Sequence, residues 1–411
     1  MRIVYFSGVV PVERNAGYTL MYRHLLRLTK SGHELLVLTR DYEKARNVDL
    51  PFKTIRFAER SRNFQRIANR VGSPQFWVEL DARRVRRLAE PYIAQFRPEV
   101  IVTVWESAYL LAAADVGKKL GVPVVIVVHD DYEQMLPAHR KKHRWAAGRL
   151  RKIYHSVAAR ICIGPAMAEH LTQTYGRAEV DIIYPIPAEP ASPVTQPRRK
   201  LKDDPLRIGF FGELGGNYGP IHAVVDVLEA ANAEFHYFSH SWGPNRGPLA
   251  SRPRVFDHGA TDPVGLQNFF RANIDVMLIP QGFEPEVRQL RRTCFPSKIP
   301  EACQIGLPLL IISPADGSAT RWAHECLKPP AFLSTINRPD IVRALREFAD
   351  SSTQEAQRQI VSQIAGSIFL PQRLHEQFER VLSRVCNTGD QAAAAKGALA
   401  TVSLFTYDRS T

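Results

Sequence analysis

The chain has 411 residues, enough at ~150 residues per domain for two or three domains. Hydrophobic residues make up 45% and charged residues 23%, the balance of a soluble globular protein whose core needs no covalent staple. Five cysteines, an odd number with no C-x-x-C spacing, argue against a disulfide framework or a structural zinc site and suit a reducing cytoplasm, while a net charge of +13 (54 basic minus 41 acidic residues) points to an anionic partner.

No zinc-finger or RNA-recognition signature and no K/R-rich tail supports nucleic acid as that partner, which leaves phosphorylated substrates and an anionic membrane surface. No apolar run reaches the ~20 residues that span a bilayer. The apolar start, Met1 to Val10, is too short for a signal peptide and lacks a small-residue cleavage site, so it reads as a first strand.

Short apolar, β-branched runs follow in order, separated by helical stretches. In the first half they are Ile3–Val10, Glu34–Thr39, Val100–Trp105, Val122–His129, Arg160–Gly164 and Asp181–Tyr184. Prolines at 185, 187, 190, 193, 197 and 205 then interrupt both helix and strand, which marks a linker. The second half restarts with Arg207–Gly212 and continues through Glu234–Ser239, Arg254–His258, Ile274–Pro280 and Pro308–Ile312. Near-continuous apolar strands alternating with helices predict parallel sheets covered on both faces. The fold class is therefore α/β, with two Rossmann-like, doubly wound parallel-sheet domains in tandem. The expected boundaries are 1–187, a linker at 188–205, and 206–368. An amphipathic helix at 369–386 carries Leu374, Phe378, Val381, Leu382 and Val385 at three- and four-residue spacing and is a candidate to pack back on the first domain. The tail 387–411 has an alanine run and little periodicity.

The sharpest local signal is Phe295-Pro-Ser-Lys-Ile-Pro-Glu-Ala-Cys-Gln-Ile-Gly306, followed by a buried strand. It reads as a short helix capped by the Ser297 hydroxyl, with Pro300 in its first turn and Gly306 as its stop. Its amino end offers N–H groups and positive dipole to a diphosphate, Lys298 adds a point charge, and Glu301 suits a ribose diol. A capped helix in any α/β protein would share part of this pattern. Upstream, Arg288, Arg291 and Arg292 crowd the loop after a strand, where open α/β sheets bind ligands. A solvated basic loop is the plainer reading of any one of them. The loop Gly212-Glu-Leu-Gly-Gly-Asn-Tyr-Gly219 is an imperfect dinucleotide fingerprint, and the next strand ends without an acid, so a nicotinamide site is poorly supported. Gly212 and Gly215 suit close backbone approach to a donor phosphate or base, or a tight turn.

The segment 296–308 resembles the donor-binding motif of retaining glycosyltransferase family four, in the variant with Pro-Ser-Lys before the glutamate. Glu301 matches the second of that family's two glutamates, and Thr293 stands where the first would be. The resemblance covers most of residues 1–385. It implies two domains facing a cleft (the GT-B arrangement), a nucleotide-diphosphate-sugar donor on the second domain, and a saccharide or lipid-linked acceptor on the first. It also implies retention of configuration without a bound metal or other cofactor. The family supplies an arginine and a lysine from the first loop of the second domain; here Arg288 to Arg292 with Lys298 would replace them. Val9-Val-Pro-Val-Glu-Arg-Asn-Ala-Gly-Tyr-Thr19 and Ser31-Gly-His-Glu resemble the N-terminal pattern, with Gly17 as the glycine that admits the donor diphosphate. His129, ending a strand, matches a histidine near the transferred sugar, although a structural strand-end histidine fits as well. Asp130 and Asp131 are weak as a metal pair.

The implied catalytic groups are thus His129, Lys298 and Glu301, with Gly17, Gly212, Gly215, Arg288, Arg292 and Ser297 completing the donor set. The basic run Arg140–Arg144, with Arg149, Arg151 and Lys152 and interleaved Trp145, Leu150, Ile153 and Tyr154, is a candidate for docking on the inner face of a membrane, extended by Arg83, Arg84, Arg86 and Arg87; a solvated helix face is the plainer reading. The expected role is sugar transfer in cell-surface polysaccharide or glycoconjugate synthesis. A nucleotide-sugar epimerase of the same fold and a catalytically silent binding protein are the alternatives.

Overall fold

The computed structural model describes the chain except for residues 14–15, 42–47, 59–73, 131–142, 190–203, 240–245 and 406–411; for 16–17, 74–77, 107, 143–147 and 389–405 it describes the backbone alone. Contacts divide the chain into two compact units. One is formed by Met1–Ile163, Ala168–Ile183 and the chain from His375 onward, the other by Gly164–Met167 and Tyr184–Leu374.

The first unit is built on a seven-stranded sheet in the order β3-β2-β1-β4-β5-β6-β7, parallel throughout. The strands are β1 (Arg2–Ser7), β2 (Glu34–Arg40), β3 (Lys53–Phe57), β4 (Val100–Val104), β5 (Val124–Val128), β6 (Ala159–Cys162) and β7 (Asp181–Ile182). The central strands β4 (VIVTV) and β5 (VVIVV) are buried at every position, as a sheet covered on both faces requires. Helices α1 (Ala16–Lys30), α2 (Pro74–Phe96), α3 (Ser107–Leu120), α4 (His143–Ser156) and α5 (Pro165–Tyr175) fall between them. The first strand stops at Ser7, three residues before the apolar run does. There the Tyr5 hydroxyl donates to the Val9 carbonyl and the Ser7 hydroxyl accepts from the Val9 amide, which turns the chain out of the sheet. Val10 and Val12 bury instead against Tyr18, Val48 and Leu50.

The second unit carries six parallel strands in the order β10-β9-β8-β11-β12-β13. They are β8 (Leu206–Phe211), β9 (Ala233–Phe238), β10 (Val255–Asp257), β11 (Val276–Pro280), β12 (Leu309–Ile312) and β13 (Phe332–Leu333). Its helices are α6 (Tyr218–Val225), α7 (Arg246–Ala250), α8 (Pro263–Asn273), α9 (Pro285–Thr293), α10 (Lys298–Ile305), α11 (Ser318–Cys326), α12 (Arg338–Ala349) and α13 (Ser351–Ser367). In each sheet the strand order reverses once, between β1 and β4 and between β8 and β11. Open α/β sheets bind ligands outside the strand carboxyl ends at such a reversal.

The last helix, α14, runs from Pro371 to Phe405. Phe378, Val381, Leu382 and Val385 are buried along one face. Within the first unit the Phe378 ring stacks on His24 at 4.4 Å, Glu379 accepts from His33 at 2.7 Å, and Arg384 reaches Asp181 at 2.5 Å. The alanine run Ala392–Ala395 continues the helix, as the best helix-forming residue should.

Candidate functional site

In the second unit the reversal point is framed by the turn after β8 and by the start of α10. Gly212 follows β8 with φ +110, a conformation that side chains disfavour, and a Cβ there would stand 2.6 Å from Lys298 Cε and 3.2 Å from its Nζ. Gly212 therefore leaves room for the Lys298 side chain. A Cβ on Gly215 would meet no atom within 4 Å, so that position faces open space among the described residues. Gly216 is the second crowded glycine: its carbonyl accepts from Arg291 Nη2 at 2.9 Å and from the Gly282 amide at 3.1 Å. Arg291 thereby ties α9 to the glycine turn.

Lys298 is the first residue of α10. Its ammonium lies 5.6 Å from the centre of the Phe210 ring and has no hydrogen bond or ion pair among the described residues. Burial, then the neighbouring Arg291 charge, pull its pKa from 10.5 to about 8, with Glu213 pulling the other way. The hydrophobic anchor below is Phe295, whose ring meets Tyr184 at 4.8 Å, Trp322 at 5.7 Å and Phe369 at 6.1 Å.

Ser297 does not cap α10, which corrects the expectation from its sequence. Its backbone is helical (φ −60, ψ −17) and its hydroxyl makes no cap bond. Capping needs an extended backbone and a free amide at the second or third helical position. Here Ile299 gives its amide to the Pro296 carbonyl, and Pro300 has none. The amide of Ile299 is thus already taken and Pro300 has none, and Lys298 is the cationic side chain at this end of α10.

Arg288 and Arg292 are not brought to Lys298. Both reach Asp316, Arg288 at 3.0 Å and Arg292 at 3.4 Å, on an exposed surface. Thr293 is buried, and its hydroxyl donates to the Gln289 carbonyl of its own helix at 3.1 Å. Glu301 accepts from the Ala188 amide at 3.2 Å, so one carboxylate oxygen holds the chain that follows β7. Nearby, Ser313 donates to Gln281 at 2.7 Å across the carboxyl ends of β12 and β11.

In the first unit Gly17 is the second residue of α1. His129 directly follows β5 and is only 8% exposed, with no partner for Nε2 among the described residues. Burial lowers its pKa to about 4, against the pull of Asp130, so its ring is neutral near pH 7. Asp131 lies outside the described residues. Among the described residues no group of three or more His, Cys, Asp or Glu side chains is arranged to hold a metal ion. Glu106, which the sequence did not single out, stands two residues past β4 at the reversal point. In α4, Arg149 pairs with Asp115 at 2.7 Å and Glu79 at 3.4 Å, the exposed Arg151 donates to the Thr174 carbonyl, Lys152 is exposed, and Leu150, Ile153 and Tyr154 are core residues. Residues 140–142 lie outside the described residues. No helix among the described residues is long and apolar enough to cross a membrane.

Two parallel-sheet α/β units, each with its polar residues gathered at the strand carboxyl ends, define the GT-B class of fold. Solved structures agree. A glycosyltransferase from Rickettsia africae matches with a TM-score of 0.64 at 14% identity over 93% of this chain and 97% of that one. Anabaena HepE, solved with UDP and glucose, matches at 0.63 and 15% over 93% and 100%. A UDP-GlcNAc 2-epimerase from Neisseria meningitidis, bound to UDP-GlcNAc, matches at 0.57 and 13% over 93% and 100%. Comparison with curated proteins gave no match. The model of Glycosyltransferase Family 4 matches residues 19–186.

Proposed function

We propose that the chain is a glycosyltransferase that moves a sugar from a nucleotide-diphosphate-sugar donor, held by the second unit, to a hydroxyl of a saccharide or lipid-linked acceptor held by the first. The observation that carries this reading is the unpartnered Lys298 ammonium, set beside the Gly212 turn at the reversal point of its sheet. An ammonium in such surroundings calls for an anion, and a nucleoside diphosphate supplies one. Lys298 then stabilises the charge that grows on the leaving diphosphate. On this reading configuration is retained: the acceptor attacks from the face the diphosphate leaves, a diphosphate oxygen takes its proton, and no bound metal is needed. The neutral His129 ring contributes a hydrogen bond rather than a charge. Gly17 and Glu301 complete the contacts to diphosphate and ribose. The product belongs to cell-surface polysaccharide or glycoconjugate, made on the cytoplasmic side.

Incubation with uridine, guanosine and thymidine diphosphate sugars, with and without acceptor saccharides, tests the reading. Acceptor-dependent release of nucleoside diphosphate with a new glycosidic bond supports it. Conversion of the donor alone indicates an epimerase, and binding without turnover indicates a silent binding protein. Thr293, a buried hydroxyl in place of a carboxylate, is the observation that keeps the last reading in play.

A membrane-surface partner finds its support on α2. Leu88 and Tyr92, 41% and 42% exposed, are neighbours on that helix beside the exposed Arg83 and Arg87. Leucine and tyrosine amid arginines suit an anionic interface. Sedimentation with phosphatidylglycerol vesicles, but not with phosphatidylcholine vesicles, should be lost in a Leu88→Asp/Tyr92→Asp variant; equal sedimentation of that variant refutes the assignment.

A further inference from the structure

We infer that Glu106, with His129 beside it on the sheet, grips a hydroxyl of a neutral sugar at the reversal point of the first sheet. This rests on the glycosyltransferase reading and names the chemistry of the acceptor side.

The strand order places Glu106. Its strand β4 lies between β1 and β5, and β2 flanks β1, so Arg40 at the end of β2, Glu106 just past β4, and His129 and Asp130 just past β5 share one sheet edge. Glu106 occupies the cap position of α3 with extended backbone (φ −155, ψ 153), yet its carboxylate makes no bond to the helix amides. It has no hydrogen bond to any other described side chain either. Burial raises its pKa, opposed by Arg40 and assisted by Asp130, so both charges lie within its field. A half-buried carboxylate without a donor is costly in the absence of a ligand.

His129 supplies the independent observation. Its Nε2 is buried at 8% residue exposure and has no partner among the described residues. Buried nitrogens of this kind are nearly always satisfied, and a ligand hydroxyl would supply the partner that the described residues do not.

Charge decides the ligand class. Glu106 lies within the fields of one cation, Arg40, and one further carboxylate, Asp130, so its surroundings favour a neutral ligand, whereas the second unit presents Lys298 beside Arg291. A sugar hydroxyl fits: it donates to the Glu106 carboxylate and exchanges a hydrogen bond with the neutral imidazole. Tyr18, held by Arg40 at 2.8 Å, steadies the arginine that balances the pair.

The test is saturation-transfer NMR of the full chain with methyl glycosides of glucose, galactose, mannose and N-acetylglucosamine, and with glucose 1-phosphate as the anionic control. At least one methyl glycoside should receive saturation. Glu106→Ala should weaken it by roughly tenfold or more, and Glu106→Gln, which keeps volume and one acceptor oxygen, by less. Melting temperatures of both variants control for folding. No glycoside signal, a signal indifferent to Glu106→Ala, or preference for glucose 1-phosphate overturns the inference. The thermal shifts given by uridine, guanosine, adenosine and thymidine diphosphates are read in parallel. If wild type shows none with any of them, the donor reading fails; if a shift persists in Glu106→Ala while glycoside binding is unchanged, this inference alone fails.

Discussion

Replacing Lys298 by Met should stabilise the ligand-free protein and weaken its hold on a nucleoside diphosphate. The fall in pKa from 10.5 to about 8 corresponds to about 3 kcal/mol of cost to the ammonium in the folded chain, and partial exposure of the side chain discounts this to about 2 kcal/mol. The sign follows from linkage. Below pH 8 lysine is charged in folded and unfolded chains alike and the cost is present in full; between pH 8 and 10.5 the folded chain releases its proton first and the cost disappears. Methionine keeps the stem against Phe210 and removes the charge. At ~2–4 °C per kcal/mol for a domain of this size, the variant should melt about 4–8 °C higher at pH 7. A charge-assisted hydrogen bond contributes ~1.5–3 kcal/mol, so diphosphate affinity should drop by roughly 10- to 150-fold. Differential scanning fluorimetry at pH 7 and pH 10, with and without uridine diphosphate, reads both effects. A Lys298→Met protein that melts at or below wild type at pH 7, or that keeps the full ligand shift, refutes the reasoning.

Other substitutions test the surrounding geometry. Gly212→Ala forces a side chain into φ +110 and against Lys298 Cε, so it should lose about 1–3 kcal/mol of stability in urea unfolding and part of its diphosphate affinity; a neutral result contradicts the crowding. Ser297→Ala should leave stability within about 0.5 kcal/mol, because no cap bond exists to lose, whereas a loss near 1 kcal/mol would restore the capping role. Burial holds both His129 and His375 at a pKa of about 4, below the ordinary 6.5. The unfolded chain takes up these protons first, so stability is full above pH 6.5 and falls as pH drops toward 4, by about 2 kcal/mol per histidine at pH 5. Urea unfolding at pH 7 and 5 should show a drop that shrinks in His375→Phe; equal drops in the two proteins exclude His375 as a source.

The two parallel sheets were legible because buried strands such as VIVTV and VVIVV leave an uninterrupted apolar run. Strands β3 and β13 were not. Lys53–Phe57 is a half-exposed edge strand with two charged residues, and Phe332–Leu333 is two residues long. The α10 segment was readable as loop, helix and glycine stop, but not its cap, since Pro300 removes the amide that Ser297 would use. Local sequence also gave no way to sort the arginines. Arg291 faces the glycine turn, while Arg288 and Arg292, one helical turn apart, meet at Asp316, a residue outside the motif. Glu106 was invisible for a topological reason: its neighbours Arg40 and Asp130 come from strands that adjoin only once the order β2-β1-β4-β5 is known. The interleaved apolar residues of α4 looked like a membrane face, but Leu150, Ile153 and Tyr154 serve the core.

Isothermal titration of the chain with uridine, guanosine, adenosine and thymidine diphosphates, each paired with its monophosphate, bears most directly on the claim that Lys298 awaits a diphosphate. At least one diphosphate should bind roughly tenfold or more tightly than its monophosphate, with the difference abolished in Lys298→Met. Monophosphate and diphosphate binding equally well, or no nucleotide binding at all, would contradict it.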